Sequence, residues 1–110
     1  MIIWFTGQSG AGKTTLMQLM PDNFLGIDAD VVREVYPEDF TEEGRRRNVQ
    51  RIQETAAILD QQGYDVAVAC IAPYRDQREA FKAKHDVMEV YLAGGHWDES
   101  YGPDIYEPPL

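Results

Sequence analysis

The sequence contains little that could cross-link the chain or anchor it in a membrane. Its one cysteine, Cys70, excludes an internal disulfide and favours a reducing compartment. No apolar stretch approaches the roughly 20 residues that a membrane-spanning helix needs. The N-terminal apolar run covers residues 2–5 and passes directly into a glycine-rich segment, which does not fit a signal peptide. We therefore expect a cytoplasmic protein.

Positive charge is scarce and unevenly distributed. The 110 residues include 10 Lys and Arg against 19 Asp and Glu, which gives a net charge of −9. This balance argues against a polyanionic partner such as DNA or RNA. All the basic residues lie between Lys13 and Lys84, and residues 85–110 have none. A site for an anion must therefore be built from the first three quarters of the chain.

Predicted strands and helices alternate along the chain, as expected for a single α/β domain over residues 1–110. Apolar runs predict strands at residues 2–5, 24–27, 66–71 and 87–92. Helices are predicted at residues 14–20, 31–35 and 76–84, and from an N-cap at Thr41 to about residue 62. From residue 93 onward we expect an irregular tail. The alternation predicts a three-layer α/β/α fold with a short parallel sheet of about four strands, and ligands bind beyond the carboxyl ends of such strands.

Residues 7–14 match the pattern G-x-x-x-x-G-K-[ST] and lie between a predicted strand and a predicted helix. Glycines let backbone N–H groups converge on an anion, and the helix start and Lys13 add positive charge. Thr14 is expected to place its hydroxyl on a magnesium ion. The alternative is a glycine-rich turn without a ligand. Because strand, loop, Lys-Thr pair and helix occur together, the pattern favours nucleotide phosphate binding.

Asp28 and Asp30 bracket the end of the second predicted strand, at the edge where ligands are expected. Phosphoryl transfer can use one carboxylate to take the proton of the acceptor hydroxyl and another to help order magnesium. Alternatively, one of them caps the following helix, and Asp30 could do so. Arg45 and Asn48 share a helix face and could reach one ligand, or Arg45 could simply be a surface charge.

Several blocks of this sequence, in this order, resemble adenylylsulfate kinases. They cover nearly the whole chain up to Leu92 and comprise residues 7–15, 27–33, 40–49, 71–75 with Arg78, 89–91 and 106–109. The D-x-D-x-x-R and P-Y-R blocks are specific in combination. The resemblance implies a P-loop kinase of sulfate assimilation. Such a kinase uses magnesium and transfers the γ-phosphoryl group of ATP to the 3′-hydroxyl of adenosine 5′-phosphosulfate.

The resemblance also implies roles for individual residues. The ATP phosphates would be held by Gly7, Gln8, Ser9, Gly10, Ala11, Gly12, Lys13, Thr14 and Thr15. Lys13, Asp28 and Asp30 would be catalytic, with Thr14 and Asp28 at the metal. The acceptor would contact Asp30, Arg33, Phe40, Arg45, Asn48, Ile71, Ala72, Arg75 and Arg78, and Phe40 would stack on its adenine. Arg75 could equally pair with a structural carboxylate.

The sequence departs from the family pattern mainly after the fourth predicted strand. The family has a basic helical lid there, whereas only residues 93–95 separate Leu92 from His96 in this chain. We also expect no N-terminal extension of the kind that supports dimers in the family, although a homodimer stays one expectation. Trp97 or Tyr101 could form the second face of the adenine site, or cover the open sheet. Within the motifs, Ala29, Gly44 and Ala72 replace the more usual Gly, Asp and Ser.

Two other interpretations stay open. One is a kinase of the same architecture that acts on another nucleotide or on a sugar hydroxyl. The other is a nucleotide-binding protein without turnover, because a lid ordinarily excludes water and offsets the charge of the transferred phosphoryl group.

Overall fold

The computed structural model describes residues 1–101 and 103–110, without the side chain of Tyr101. In that part of the chain, four parallel strands form one sheet in the order β2-β3-β1-β4, with β1 Ile2–Thr6, β2 Phe24–Asp28, β3 Asp65–Ala69 and β4 Val87–Tyr91. The helices are α1 Lys13–Gln18, α2 Ala29–Val35, α3 Glu42–Gln61 and α4 Arg75–Lys84, and a 3₁₀ helix spans Glu99–Tyr101. The predicted alternation and the four-stranded parallel sheet are confirmed.

The main core lies between the sheet and α3. Side chains alternate between the two faces of a strand, and α3 covers the face that carries Ile2, Trp4, Val66 and Val68. The predicted stripe of α3 is confirmed, because Val49, Ile52 and Ala56 are buried and Leu59 is partly buried. On the opposite face α1 packs against β1, β2 and β3. The sheet is thus covered on both faces.

Local sequence signals set the ends of α3. Thr41 caps the helix by accepting a hydrogen bond at its Oγ1 from the N–H of Gly44 (3.1 Å), and Glu42 and Glu43 occupy the first turn. Gly63 follows the helix with φ 94°, a conformation that favours glycine at a helix end. Both predicted boundaries of this helix are confirmed to within one residue.

The third strand is shorter than predicted. Its pairing with β2 and β1 ends at Ala69, so Cys70 and Ile71 extend beyond the strand. Ala72 then adopts φ 45°, and Pro73 follows. This turn brings residues 70–73 to the carboxyl edge of the sheet, where they border the cavity described below.

The C-terminal tail returns to the same edge of the sheet. The Tyr106 hydroxyl lies 3.0 Å from Thr6 Oγ1, and the Tyr106 ring stacks on Tyr91. The N–H of Glu107 donates to the carbonyl of Pro73 (2.9 Å). Among the described residues, no helix is both long enough and apolar enough to cross a membrane.

Candidate active site

One cavity of about 380 Å³ lies at the carboxyl edge of the sheet. Six parts of the chain line it: the glycine-rich loop with the start of α1, the end of β2 with α2, the loop before α3, α3, the end of β3 with the segment after it, and the segment after β4. The lining residues are Ser9, Gly10, Gly12, Lys13, Thr14, Thr15, Asp28, Ala29, Asp30, Arg33, Phe40, Arg45, Asn48, Val49, Ala69, Cys70, Ile71, Ala72, Pro73 and Trp97. Most of the residues that the sequence singled out therefore meet in one place.

The glycine-rich loop curves between β1 and α1. Gly7, Gly10 and Gly12 have φ values of 145°, 78° and 101°, which residues with a side chain rarely adopt. Lys13 Nζ donates to the carbonyl of Gln8 (2.8 Å) and lines the cavity. Burial lowers the pKa of Lys13, while the nearby carboxylates of Asp30 and Asp28 act in the opposite direction. A bound polyphosphate would place negative charge beside this ammonium and offset the cost of burying it.

Asp28 is held in place from two sides. Its Oδ1 accepts a hydrogen bond from the N–H of Asp30 (2.9 Å) and thereby caps α2, while its Oδ2 lies 3.5 Å from Thr14 Oγ1. The capping residue is Asp28 and not Asp30, because a cap uses the residue before the first helical turn. The Asp30 side chain is exposed at the cavity and makes no hydrogen bond or ion pair to the described residues.

Phe40 forms part of the cavity wall and Arg33 holds it there. The guanidinium of Arg33 donates to the carbonyls of Glu38 (3.0 Å) and Asp39 (3.5 Å), and its Cζ lies 4.5 Å from the centre of the Phe40 ring. Arg33 lines the cavity too. Its contacts order the loop before α3 and leave it at the rim of the site.

Arg45 and Asn48 extend from α3 into the cavity and are almost fully buried, with 7% and 3% of their surface exposed. Arg45 Nη2 and Asn48 Oδ1 are buried without a hydrogen-bond partner among the described residues. The other atoms of this kind belong to residues that do not line the cavity, namely Arg51, Gln77 and Arg78. Because an unpaired buried polar group costs about 1–3 kcal/mol, this pair indicates a ligand.

Arg46 and Arg47 follow Arg45 in the sequence but do not line the cavity. Arg46 pairs with Glu42 (2.9 Å) and Asp76 (3.1 Å). Arg47 pairs with Glu38 (2.9 Å) and lies 3.9 Å from Glu43. Arg45 is thus the member of the Arg-Arg-Arg run that reaches the site.

Arg75 and Arg78 hold the C-terminal tail and do not line the cavity. Arg75 Nε donates to the carbonyl of Pro108 (2.8 Å), and its backbone N–H donates to the Glu107 carboxylate (2.8 Å). Arg78 is buried, donates to the carbonyls of Ala72 and Glu107, and lies over the ring of Tyr106. Both guanidinium groups are thus engaged by the tail outside the cavity, and their predicted contacts with the acceptor stay a prediction.

Cys70 lies on the cavity wall but is not activated. It is 3% exposed, and burial raises the pKa of its thiol to about 12. A thiol that stays protonated at neutral pH is a poor nucleophile. Cys70 is thus a buried structural cysteine. Ile71 and Ala72 border the cavity beside it, and their contact with the acceptor stays a prediction.

The segment after β4 makes a backbone contact with the phosphate loop that the sequence did not predict. The N–H of His96 donates to the carbonyl of Ser9 (2.8 Å) in an antiparallel bridge, so this segment lies along the phosphate loop. Trp97 lines the cavity, and the Cζ of Arg45 lies 5.5 Å from its ring centre. The glycine pair before His96 was the available signal, because glycines permit a close backbone approach. The Tyr101 side chain, the alternative to Trp97, lies outside the described part of the chain.

Comparison with known proteins shows which family this chain resembles. The family model for adenylylsulphate kinase matches residues 1–95. The chain belongs to the adenylylsulphate kinase family. An adenylyl-sulfate kinase of Chloroflexus aurantiacus is 37% identical over 102 residues, which cover 84% of this chain and 55% of that protein. One of Geotalea daltonii is 35% identical over 98 residues and covers 81% and 48%.

Solved structures agree with the family assignment. The Mycobacterium tuberculosis APS kinase CysC in complex with AMPPNP and APS superposes with a TM-score of 0.74 at 25% identity, covering 83% of this chain and 61% of that one. Together with the parallel sheet, this establishes the P-loop kinase fold. The chain spans about half the length of the curated family members it matches.

Proposed function

We propose that this protein is an ATP-dependent kinase that phosphorylates the 3′-hydroxyl of adenosine 5′-phosphosulfate. One observation carries the proposal. In a chain of the adenylylsulphate kinase family, a glycine-rich loop shares one cavity with a buried guanidinium nitrogen and a buried amide oxygen, Arg45 Nη2 and Asn48 Oδ1, which have no hydrogen-bond partner in the described part of the chain. The loop suits the donor's phosphates, and the polar pair suits an anionic, ribose-bearing acceptor.

The donor side consists of residues 7–15. Its backbone N–H groups and the Lys13 ammonium would hold the ATP phosphates. A magnesium ion fits beside Thr14 and Asp28, because their oxygens lie 3.5 Å apart and Mg²⁺ commonly takes one or two carboxylates together with substrate phosphates. The ion would neutralise phosphate charge when bound. The AMPPNP complex of the M. tuberculosis enzyme supports ATP as the donor.

The acceptor side consists of residues from α2, α3 and the segment after β3. Arg45 would bind the phosphosulfate, Asn48 would bind the ribose, and Phe40 would stack on the adenine, with Ile71 and Ala72 beneath. Trp97 faces the same cavity and offers a second aromatic surface. Arg33 acts through its contacts with the loop that carries Phe40. Arg75 and Arg78 are left out of this site, since both hold the tail.

In this arrangement the protein works mainly by positioning. The 3′-hydroxyl would approach the γ-phosphorus in line with the leaving oxygen. The Lys13 ammonium would stabilise the negative charge that develops on the phosphates. Asp30 is the better candidate for accepting the hydroxyl proton, because Asp28 is already engaged by the α2 cap. Effective molarities from such positioning can account for about 7–11 kcal/mol of a barrier.

A panel of acceptors tests the proposal. ADP release is coupled to NADH oxidation with ATP, magnesium and one acceptor at a time: adenosine 5′-phosphosulfate, AMP, adenosine, gluconate and other sugars. We expect turnover with adenosine 5′-phosphosulfate and no comparable rate with the rest. Turnover with another acceptor but not with adenosine 5′-phosphosulfate would reject the proposed substrate. It would leave the assignment as a kinase in place.

A nucleotide-binding protein without turnover is the second candidate. It is favoured by the segment after β4, where the described residues contain only a 3₁₀ helix of three residues, Glu99–Tyr101, in place of a helical lid. Calorimetry that detects ATP binding, together with an absence of phosphorylated product after long incubation with every acceptor, would support this candidate over the kinase.

A further inference from the structure

Residues 94–97, here termed the strap, run from the phosphate loop to the acceptor side of the cavity. At one end, Gly95 packs so closely on the loop that a Cβ there would lie 2.8 Å from the carbonyl oxygens of Gln8 and Ser9. His96 adds the backbone hydrogen bond to Ser9, and its ring lies where a side chain of Gly10 would be. The strap is therefore tied to the loop by the hydrogen bond from His96 to the Ser9 carbonyl and by the close packing of Gly95 on the Gln8 and Ser9 carbonyls.

At its other end, the strap reaches Arg45. Trp97 directly follows the residue that pairs with Ser9, and its ring lies under the Arg45 guanidinium, 5.5 Å from Cζ to ring centre. A cation over an aromatic face is attracted by it, more strongly when both are shielded from water. Arg45 is 7% exposed, and its Nη2 is without a partner among the described residues. Trp97 is thus placed to set the direction of this guanidinium.

We propose that the strap couples the two halves of the site: polyphosphate in the loop holds the strap in place, and Trp97 then holds Arg45 in the orientation that binds the acceptor anion. This inference rests on the proposed function, because it needs a polyphosphate donor and an anionic acceptor. Trp97 and Gly95 are positioning residues in this scheme.

The physical link is the conformation of the loop. Its N–H groups converge on a phosphate only while the glycines hold their positive φ values, and the same conformation presents the Gln8 and Ser9 carbonyls to the strap. A ligand that stabilises this loop conformation therefore stabilises the docked strap. By thermodynamic reciprocity, the acceptor must strengthen donor binding by the same factor.

The first measurement uses Trp97 as a reporter. Only Trp4 and Trp97 contribute tryptophan fluorescence, and Trp4 is buried, with its indole N–H donating to the carbonyl of Cys70. Magnesium tripolyphosphate, which has no base that could stack on Trp97, is titrated into the protein. We expect a saturable change in emission that is absent from Trp97→Leu, although calorimetry shows that this variant still binds tripolyphosphate.

The second measurement is the coupling factor. Calorimetry gives the Kd of adenosine 5′-phosphosulfate with and without saturating AMPPNP, which cannot be turned over. We expect AMPPNP to tighten acceptor binding about tenfold in the wild type, within the usual 5- to 150-fold range. Trp97→Leu and Gly95→Ala should reduce this factor to about one while retaining AMPPNP binding, and Trp97→Phe should restore much of it. A stacking role alone would change both acceptor Kd values equally and leave their ratio intact.

The matched control is Gly26→Ala in β2, where a Cβ meets only Met17 at an ordinary 3.4 Å. Gly26→Ala should keep the coupling factor of the wild type. If Gly95→Ala does not fold, the coupling factors of Trp97→Leu and Trp97→Phe test the proposal without it. A wild-type factor of one with both ligands bound, or an unchanged factor in Trp97→Leu, overturns the strap and leaves the kinase proposal standing. A protein that binds neither tripolyphosphate nor AMPPNP overturns both.

Discussion

The carboxylate of Asp39 packs against the backbone of Gly44 at the start of α3, in the space that a Cβ at residue 44 would fill. Asp39 Oδ1 also accepts hydrogen bonds from the N–H (3.2 Å) and Oγ1 (2.5 Å) of Thr41, which hold the pKa of Asp39 below its ordinary value. Phe40 therefore lies between two anchored residues. The absence of a side chain at residue 44 lets one wall of the cavity form.

We predict that Gly44→Ala displaces Asp39 and, with it, Phe40. The steric cost of overpacking, about 1–3 kcal/mol, exceeds the gain of up to about 1 kcal/mol from placing alanine in a helix. The melting temperature should fall, and the KM for the acceptor should rise more than the KM for ATP. Gly26→Ala is the control. An unchanged melting temperature and acceptor KM in Gly44→Ala would contradict this explanation of the wall.

Asp28 and Asp30 should separate into different roles. Asp30→Asn should lower kcat about 100-fold or more with the melting temperature and ATP affinity preserved, because its side chain supports no local structure. Asp28→Ala should lose the α2 cap, about 1 kcal/mol of stability, and weaken binding of magnesium-ATP. The measurements are steady-state kinetics, calorimetry and thermal unfolding, with exposed Asp22→Asn as the control. Equal losses of kcat and ATP affinity in Asp30→Asn would remove it from the proton-transfer role.

Arg45 and Arg75 provide a matched pair of arginines. Arg45→Met keeps the length of the side chain but removes a charged donor. The KM for the acceptor should therefore rise about 10- to 150-fold, which corresponds to the roughly 1.5–3 kcal/mol of such a hydrogen bond. Arg75→Met should change it less than about threefold, because Arg75 binds Pro108 outside the cavity. Similar increases in both variants would mean that Arg75 also reaches the acceptor.

Cys70 should make the protein less stable in alkali. Its folded pKa of about 12 lies above the ordinary 9.0, so between these values the unfolded thiol has lost its proton and the folded thiol has not. The contribution of Cys70 to the free energy of unfolding is therefore constant below about pH 9. It declines as the pH rises toward 12, by at most about 1.4 kcal/mol per pH unit. Urea titrations should show a steeper decline for the wild type than for Cys70→Ala. Parallel declines would contradict a thiol held neutral by burial.

The sequence predicted those features that depend on neighbouring residues. The phosphate loop, the Thr41 cap and the buried stripe of α3 each follow from a local pattern of side-chain types. Arg45 and Asn48 could be paired because a helix places residues three apart on one face. The carboxyl edge of a parallel sheet then brought Asp28, Arg45 and Ile71 to one cavity, as the topology rule requires.

The features that the sequence did not predict depend on distant parts of the chain. Arg78 contacts the carbonyl of Glu107, 29 residues away, and nothing near Arg78 signals that its guanidinium is already used. The bridge between Ser9 and His96 is likewise formed by backbone atoms, and the glycine pair before His96 permits a close approach without indicating its partner. Asp28 caps α2, although Asp30 was the capping candidate named from the sequence, because the helix begins two residues earlier than its apolar pattern indicated.

The most direct test of the central claim uses ATP labelled on the γ-phosphoryl group, magnesium and adenosine 5′-phosphosulfate, with the products separated by chromatography. The account predicts label on the 3′-oxygen of the phosphosulfate nucleotide with the wild type and none with Lys13→Ala. Wild-type protein that binds ATP by calorimetry but never transfers label to this acceptor would contradict it.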